Sequence, residues 1–246
     1  MLVTFGYGSS HDRSQFAATP GRHCMVGNTF PQFAPNPAKL EQPTLSGAHV
    51  RLVPLSLDHV PALCEVGLDP EIWQWTPSIV DSLASMRAFV TEALAERDAG
   101  RAIPFAQVEA ASGRVVGSTR LANIDRTHRR AEIGWTWIGR PWQRTAINTE
   151  AKLLLFTHAF EVMGCKRVEL KTDALNAPSR RAIARLGAVQ EGIFRRHMIT
   201  DSGRSRDTVY FSVIGEEWPG VRKGLIDRLH DGPPHGPHQP ARPHGG

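Results

Sequence analysis

Nothing in the 246-residue sequence approaches the run of about eighteen apolar residues that a membrane-spanning helix requires. The richest stretch, Leu153 to Phe156, sits inside a helical pattern, and no membrane partner is expected. Cysteine is scarce too. Cys24, Cys64 and Cys165 are odd in number, far apart and without a Cys-x-x-Cys or neighbouring Cys/His ligand pattern. Neither a disulfide framework nor a zinc site is therefore indicated, no metal is expected, and a reducing cytoplasm is the simplest setting. Acid is almost missing from the N-terminal stretch, where Asp12 stands alone before Glu41. That bias invites a transit-peptide reading, yet neither an Arg-rich amphipathic face nor an apolar signal core accompanies it. No internal repeat is visible.

What is present is the composition of an ordinary globular protein, 41% hydrophobic and 22% charged, long enough for one sizeable core with tails. A net charge of +5 and a pI near 9.5 raise the alternative of a basic nucleic-acid-binding protein. Acids interleave the bases everywhere after residue 41 and no DNA- or RNA-reading motif occurs, so no nucleic-acid partner is expected.

Three regions follow from the punctuation of the chain. Residues 1–45 are broken by Gly, Pro, Ser, Asn and Gln and hold no apolar period, which predicts a poorly structured extension, or an upstream start ahead of one near Met25. Residues 230–246 are Pro, Gly and His with almost nothing apolar, a solvated tail in which His235, His238 and His244 are the loose alternative for metal. Between them, residues 46–229 switch period repeatedly. A strand is expected over His49 to Ser56, then helices over Leu57 to Gly67 and Leu83 to Gly100 with Asp58 and Asp81 as N-caps. Phe105 to Glu109, Val115 to Ile124 and Ala131 to Ile138 read as an antiparallel meander. Thr149 to Met163 carries the clearest helical stripe, ended by Gly164, and Val168 to Thr172 is a strand. Asn176 caps a further helix, with Pro178 in its first turn and Gly187 after it. Val189 to Ile199 and Thr208 to Ile214 form a hairpin around Asp201-Ser202-Gly203, and a helix over Glu217 to Leu229 closes the domain.

This mixed α/β order, with the words Ala131-Glu132-Ile133-Gly134-Trp135-Thr136-Trp137-Ile138, Thr149-Glu150-Ala151-Lys152 and Asn176 to Ala188, resembles GNAT N-acetyltransferases, in particular the ribosomal-protein N-terminal acetyltransferase branch. The resemblance implies a central mixed, mostly antiparallel twisted sheet, splayed at the cofactor site and flanked by helices on both faces. It also implies acetyl-CoA as acyl donor, a protein N-terminus or small molecule as amine acceptor, and a homodimer as a possible assembly. A coenzyme with several phosphates would account for part of the basic excess.

Independently of the family, a strand that runs through Gly139 to Asn148 into a helix near Thr149 leaves unpaired amides facing out of the helix end, where an anion is favoured. In the family this loop holds the coenzyme diphosphate with the signature Gln/Arg-x-x-Gly-x-Gly/Ala. Here it reads Gln143-Arg144-Thr145-Ala146-Ile147-Asn148, with Ala146 and Asn148 at the two small positions. Alanine is a mild change, and asparagine tolerates left-handed geometry and caps helices. By the same resemblance the backbone of Trp135, Trp137 and Ile138 pairs with the pantetheine arm, Thr149 opens the helix, Asn176 holds pantetheine amides besides capping, and Arg180 with Arg181 reaches the ribose phosphate.

Transfer needs a neutral amine, a polarised thioester carbonyl and a place for the leaving thiolate. Glu132 is the candidate base; the alternative is an ion pair with Arg120 or Arg130. The Tyr that many family members use to protonate the thiolate falls on Ile183, so Ser179 or a solvated thiolate takes its place. Glu65, Asp69, Glu71, Trp73 and Trp75 are candidates for an acidic, aromatic-lined acceptor mouth, or Trp73 and Trp75 pack the core; His197 borders that site or is an exposed strand histidine. The altered loop and the missing Tyr also keep open a coenzyme-binding module with weak or no catalysis.

Overall fold

The computed structural model describes residues 40–231. The tails expected at either end, with their histidines and Met25, fall almost wholly outside these residues. Leu40 is already buried in the core, and Leu45 lies in the first strand, so the folded unit begins earlier than the expected boundary at residue 46.

Eight strands form one sheet. In chain order they are β1 (Leu45–Ser46), β2 (Val50–Pro54), β3 (Ile103–Glu109), β4 (Val115–Asp125), β5 (Arg130–Ile138), β6 (Arg167–Asp173), β7 (Val189–Ile199) and β8 (Ser205–Ile214). Their spatial order is β1-β2-β3-β4-β5-β6-β8-β7, and every pairing is antiparallel except β5 with β6. Among the described residues the six α-helices are α1 (Val60–Gly67), α2 (Pro70–Trp73), α3 (Leu83–Asp98), α4 (Ala146–Thr157), α5 (Ala177–Arg185) and α6 (Trp218–His230).

The sheet alternation separates two cores. Ala131, Ile133, Val168, Leu170, Val209, Phe211 and Val213 face one side with Leu155, Phe156 and Trp218 of α4 and α6. On the other side Trp137 packs with Leu63, Trp73, Met86 and Phe89 from α1–α3. Burial of this apolar area, about 25 cal/mol per Å², is the dominant stabilising contribution. α1 and α3 lie mainly over β3–β5, and on that side a wide cleft opens over β6, β8 and β7.

Several helix starts differ from expectation because serine caps where aspartate was anticipated. Ser56 and His59 close a capping box before α1, and Ser82 accepts from the Ser85 amide at the start of α3. Asp81 instead accepts from the Ser85 hydroxyl. Asn176 caps α5, its Oδ1 accepting from the Ser179 amide at 3.0 Å. Gly164, Gly187 and Gly203 take positive φ of 70°, 98° and 79° where the two helix ends and the hairpin turn require it. α4 runs out through a π-helical turn over His158–Val162 before Gly164 stops it.

Candidate active site

β5 and β6 pair at only three positions, Arg130 with Arg167, Ala131 with Val168 and Glu132 with Glu169. Beyond Glu132 the two strands part. The β5 edge from Gly134 to Ile138 that would face β6 therefore has no ladder partner there, while its other edge remains joined to β4. Backbone irregularity marks the point of parting: Trp135 takes φ 49° and the β4–β5 register slips between Ser118 and Arg120. The slip turns Trp135 and Trp137 to the α1–α3 side. Trp135 is 36% exposed and stacks on the buried Arg120 guanidinium, whereas Trp137 is buried. Trp137 and Ile138 thus give the gap their backbone, with both side chains committed to the cores.

The loop after β5 reaches α4 sooner than expected. Thr145, not a residue near Thr149, is the N-cap, its hydroxyl accepting from the Ile147 amide at 3.4 Å. Ala146, Ile147, Asn148 and Thr149 form the first turn, so Asn148 is helical and the left-handed position falls on exposed Arg144 at φ 63°. The amides of Ala146 and Asn148 have no intrahelical acceptor by their position, and the helix dipole adds partial positive charge there. Gln143 donates to Ile138 O at 3.0 Å and closes the loop back on β5. This geometry fits a polyanionic ligand, with Arg144 and Thr145 exposed beside the helix end.

Two buried ionisable side chains follow on α4. Glu150 accepts three backbone hydrogen bonds, from Ala48 at 2.8 Å, His49 at 2.6 Å and Val50 at 2.8 Å, and so pins the β1–β2 turn. Lys152 donates to the Thr136 hydroxyl at 2.8 Å, and Thr136 is bonded to Thr119 at 2.7 Å. Burial pushes the Lys152 ammonium down to about 7.

On the opposite face lies the polar cluster that sequence reasoning found only in part. Glu132 is buried, and its Oε2 accepts from Lys171 Nζ at 2.6 Å and Asn123 Nδ2 at 2.6 Å. Its partner is Lys171 rather than Arg120 or Arg130: Arg120 lies between Phe89 and Glu92, and Arg130 bridges Asp125 and Glu169. A Cβ on Gly134 would come within 3.0 Å of Glu132 Oε1, so the second oxygen faces the parting strands across a glycine. Burial works against the Lys171 charge, but Glu132 and Tyr210 outweigh it and hold its pKa above the ordinary lysine range. Its Nζ lies 4.7 Å above the Tyr210 ring. His197 closes this row, 3.1 Å from the Thr208 hydroxyl and 3.4 Å from the Tyr210 hydroxyl, and burial together with Lys171 and Arg206 lowers its pKa. A cleft of about 910 Å³ opens over these groups, with Asn123, Lys171, Phe194 and Tyr210 in its wall.

Lys171 and Tyr210 carried a signal that could have found them. Along Val168 to Lys171 and Thr208 to Val213 apolar residues alternate with the others, which puts Lys171 and Tyr210 on the face away from Val168, Leu170, Val209 and Phe211; Arg206 lies in the polar run Arg206-Asp207-Thr208, outside that alternation. The candidates Glu65, Asp69, Glu71, Trp73 and Trp75 do not assemble as an acidic mouth. Asp69 and Glu71 bind Arg140, and Trp73 is buried with its indole N–H on Gly67 O. On α5, which follows β6, Asn176 accepts from the Ser179 amide, while Arg180 donates to Ala174 O and Gln190 Oε1 at 3.3 and 3.5 Å. Among the described residues no group of three or more His, Cys, Asp or Glu side chains could hold a metal ion, and no helix is long and apolar enough to cross a membrane.

Comparison with known proteins gives a consistent result. The family model described as acetyltransferase (GNAT) domain matches residues 49–189. YdaF of Bacillus subtilis, which carries the name of a candidate ribosomal N-acetyltransferase, is 35% identical over 110 residues. That match covers 45% of this chain and 59% of YdaF, less than two thirds of the relative. The crystal structure of a GCN5-related N-acetyltransferase from Brucella melitensis is 34% identical with a TM-score of 0.70, covering 78% of this chain and 87% of that one. RimJ of Mycobacterium smegmatis, solved with CoA-disulfide, shares the fold at a TM-score of 0.67 and 24% identity over 76% of this chain and 94% of its own.

Proposed function

The chain belongs to the GNAT acetyltransferase family, and from that premise we propose that it moves an acetyl group from acetyl-CoA to a primary amine, that of a protein N-terminus or a small molecule. The observation that carries this reading is the parting of β5 from β6 immediately after Glu132, beside an open helix end at Ala146.

Acetyl-CoA supplies a thioester-activated acetyl group. In this reading the loop Gln143–Asn148 and Thr149 at the α4 end bind its diphosphate through first-turn amides. The unpaired β5 edge over Trp135 to Ile138 accepts the pantetheine arm as an added strand. Asn176, whose Oδ1 is used in capping, offers its amide N–H to the same arm, and Arg180 lies toward the ribose phosphate. A β5 amide polarises the carbonyl. Glu132 takes the proton that the acceptor ammonium must lose, directly or through water; its Oε2 is tied to Lys171 and Asn123, which leaves Oε1 for that task. The second proton, which the attacking nitrogen sheds as the amide forms, passes to Ser179 as its hydroxyl proton goes to the departing thiolate.

The Glu132–Lys171 pair also favours a second reading, a coenzyme-binding module with weak catalysis, because Oε2 of Glu132 is already occupied by Lys171 and Asn123. Calorimetry with coenzyme A and thiol release with acetyl-CoA and an amine separate the cases. Heat without thiol release supports the module; absence of heat at any practical concentration removes both readings.

A further inference from the structure

Arg206 is an arginine that the fold buries without using. It is 6% exposed, its Nε has no hydrogen-bond partner, and its guanidinium makes no hydrogen bond among the described residues. The nearest acid, Asp173, is 3.9 Å away and is already bound by Arg204. Burial lowers the Arg206 pKa against the opposing pull of Asp173. Arginine is planar, permanently charged and built to grip a carboxylate with two parallel N–H bonds. An arginine left in this state is poised for a partner that arrives from outside the chain.

Its position says where that partner lies. On β8, Tyr210 stands opposite Lys171 and Thr208 opposite Asp173. Arg206 is next in the row on the same face, past the last residue of β6, alongside the region where β5 and β6 have separated. Its charge is felt by Glu132, Tyr210 and His197. The hairpin tip beside it is tied to the segment before α3, with the Asp201 amide on Pro77 O and the Ile79 amide on Asp201 Oδ2, and Arg204 lies over Trp75. Lys171 and Arg204 are each paired here, with Glu132 and Asp173, and Asp201 is taken by the Ile79 amide, so Arg206 is the cation left over. A cation without a close partner is opposite in sign to the acidic mouth expected from the sequence.

We infer that the acceptor is an amine that also carries a carboxylate, which Arg206 grips while the amine reaches Glu132. The inference rests on the acetyltransferase reading and narrows it to one acceptor class. Two sources share this chemistry, a free amino acid and a protein N-terminus followed by an acidic residue.

Two matched pairs of acceptors test it: β-alanine against its amide, and a short peptide amide with Glu against the same peptide with Gln at its second position. With acetyl-CoA saturating, kcat/KM is expected to be at least about tenfold higher for the carboxylate member of one pair, and which pair it is identifies the source. In Arg206→Met that preference should fall below about twofold with the KM for acetyl-CoA unchanged, and Arg206→Lys should restore part of it as a point charge. Should the variants not fold, the wild-type ratio and competitive inhibition by propionate against the acceptor decide the matter. Transfer to all compounds without discrimination overturns the inference alone. No transfer to any of them removes the acetyltransferase reading and the inference together.

Discussion

Replacing Lys152 by methionine should make the protein more stable, and by an amount that depends on pH. The side chain is 6% exposed, its one hydrogen bond runs to Thr136, and burial takes its pKa from the ordinary 10.5 to about 7. Between those values the unfolded chain binds a proton that the folded chain does not. Wild-type stability must therefore rise with pH across that window, at up to ~1.4 kcal/mol per pH unit. At pH 7 the group destabilises the fold by about 4 kcal/mol relative to a side chain that cannot ionise, and at pH 9 by about 2 kcal/mol. Methionine has a similar length and removes this penalty, while the lost hydrogen bond to Thr136 costs about 1 kcal/mol. Thr136 keeps its bond to Thr119. The expected net gain is about 3 kcal/mol at pH 7 and about 1 kcal/mol at pH 9. Urea denaturation of both proteins at the two pH values, with matching m-values, measures it. A methionine variant less stable than wild type at pH 7, or one whose stability follows pH just as wild type does, would refute the reasoning.

Other substitutions probe the rest of the site. Glu150→Gln sets an amide donor against at least one of the three backbone N–H groups that Glu150 now accepts, and should cost about 2–3 kcal/mol, a fall of roughly 5–10 °C in Tm by calorimetry. Glu132→Gln should lower kcat about a hundredfold with the Kd for coenzyme A unchanged; equal turnover across pH would take Glu132 out of the proton transfer. Arg144→Gly relieves a left-handed conformation at φ 63° and should raise stability by about 0.5–1 kcal/mol, read as a higher urea midpoint.

The elements that depend on local chemistry were legible in the chain. Asn176 with Pro178, Gly164, Gly187 and the Asp201–Gly203 turn each act through their own backbone or that of a near neighbour, and they lie where the sequence placed them. The α4 start was misplaced because Thr145 and Asn148 are both good caps and nothing local chooses between them; the chain takes Thr145. Helices α1 and α3 show the same competition between serine and aspartate. The candidate site was legible in outline only. That Glu132 is buried follows from its strand, but its choice of Lys171 over Arg120 or Arg130 depends on which strand becomes the parallel neighbour. The irregular backbone at Trp135 and the isolation of Arg206 arise from pairings across the whole sheet, which no window of sequence contains.

The carboxylate of Glu150 meets the Val50 amide across a separation of 100 residues, and that distance along the chain has a consequence for how the molecule is made. During synthesis the segment around Leu45 to Val50 emerges early and waits for its receptor until α4 has left the ribosome, because closing so long a loop is slow and yields nothing until both ends exist. Pinning of the β1–β2 turn is thus a late event, and a nascent chain halted before residue 150 should remain open to protease between Ser46 and Val50.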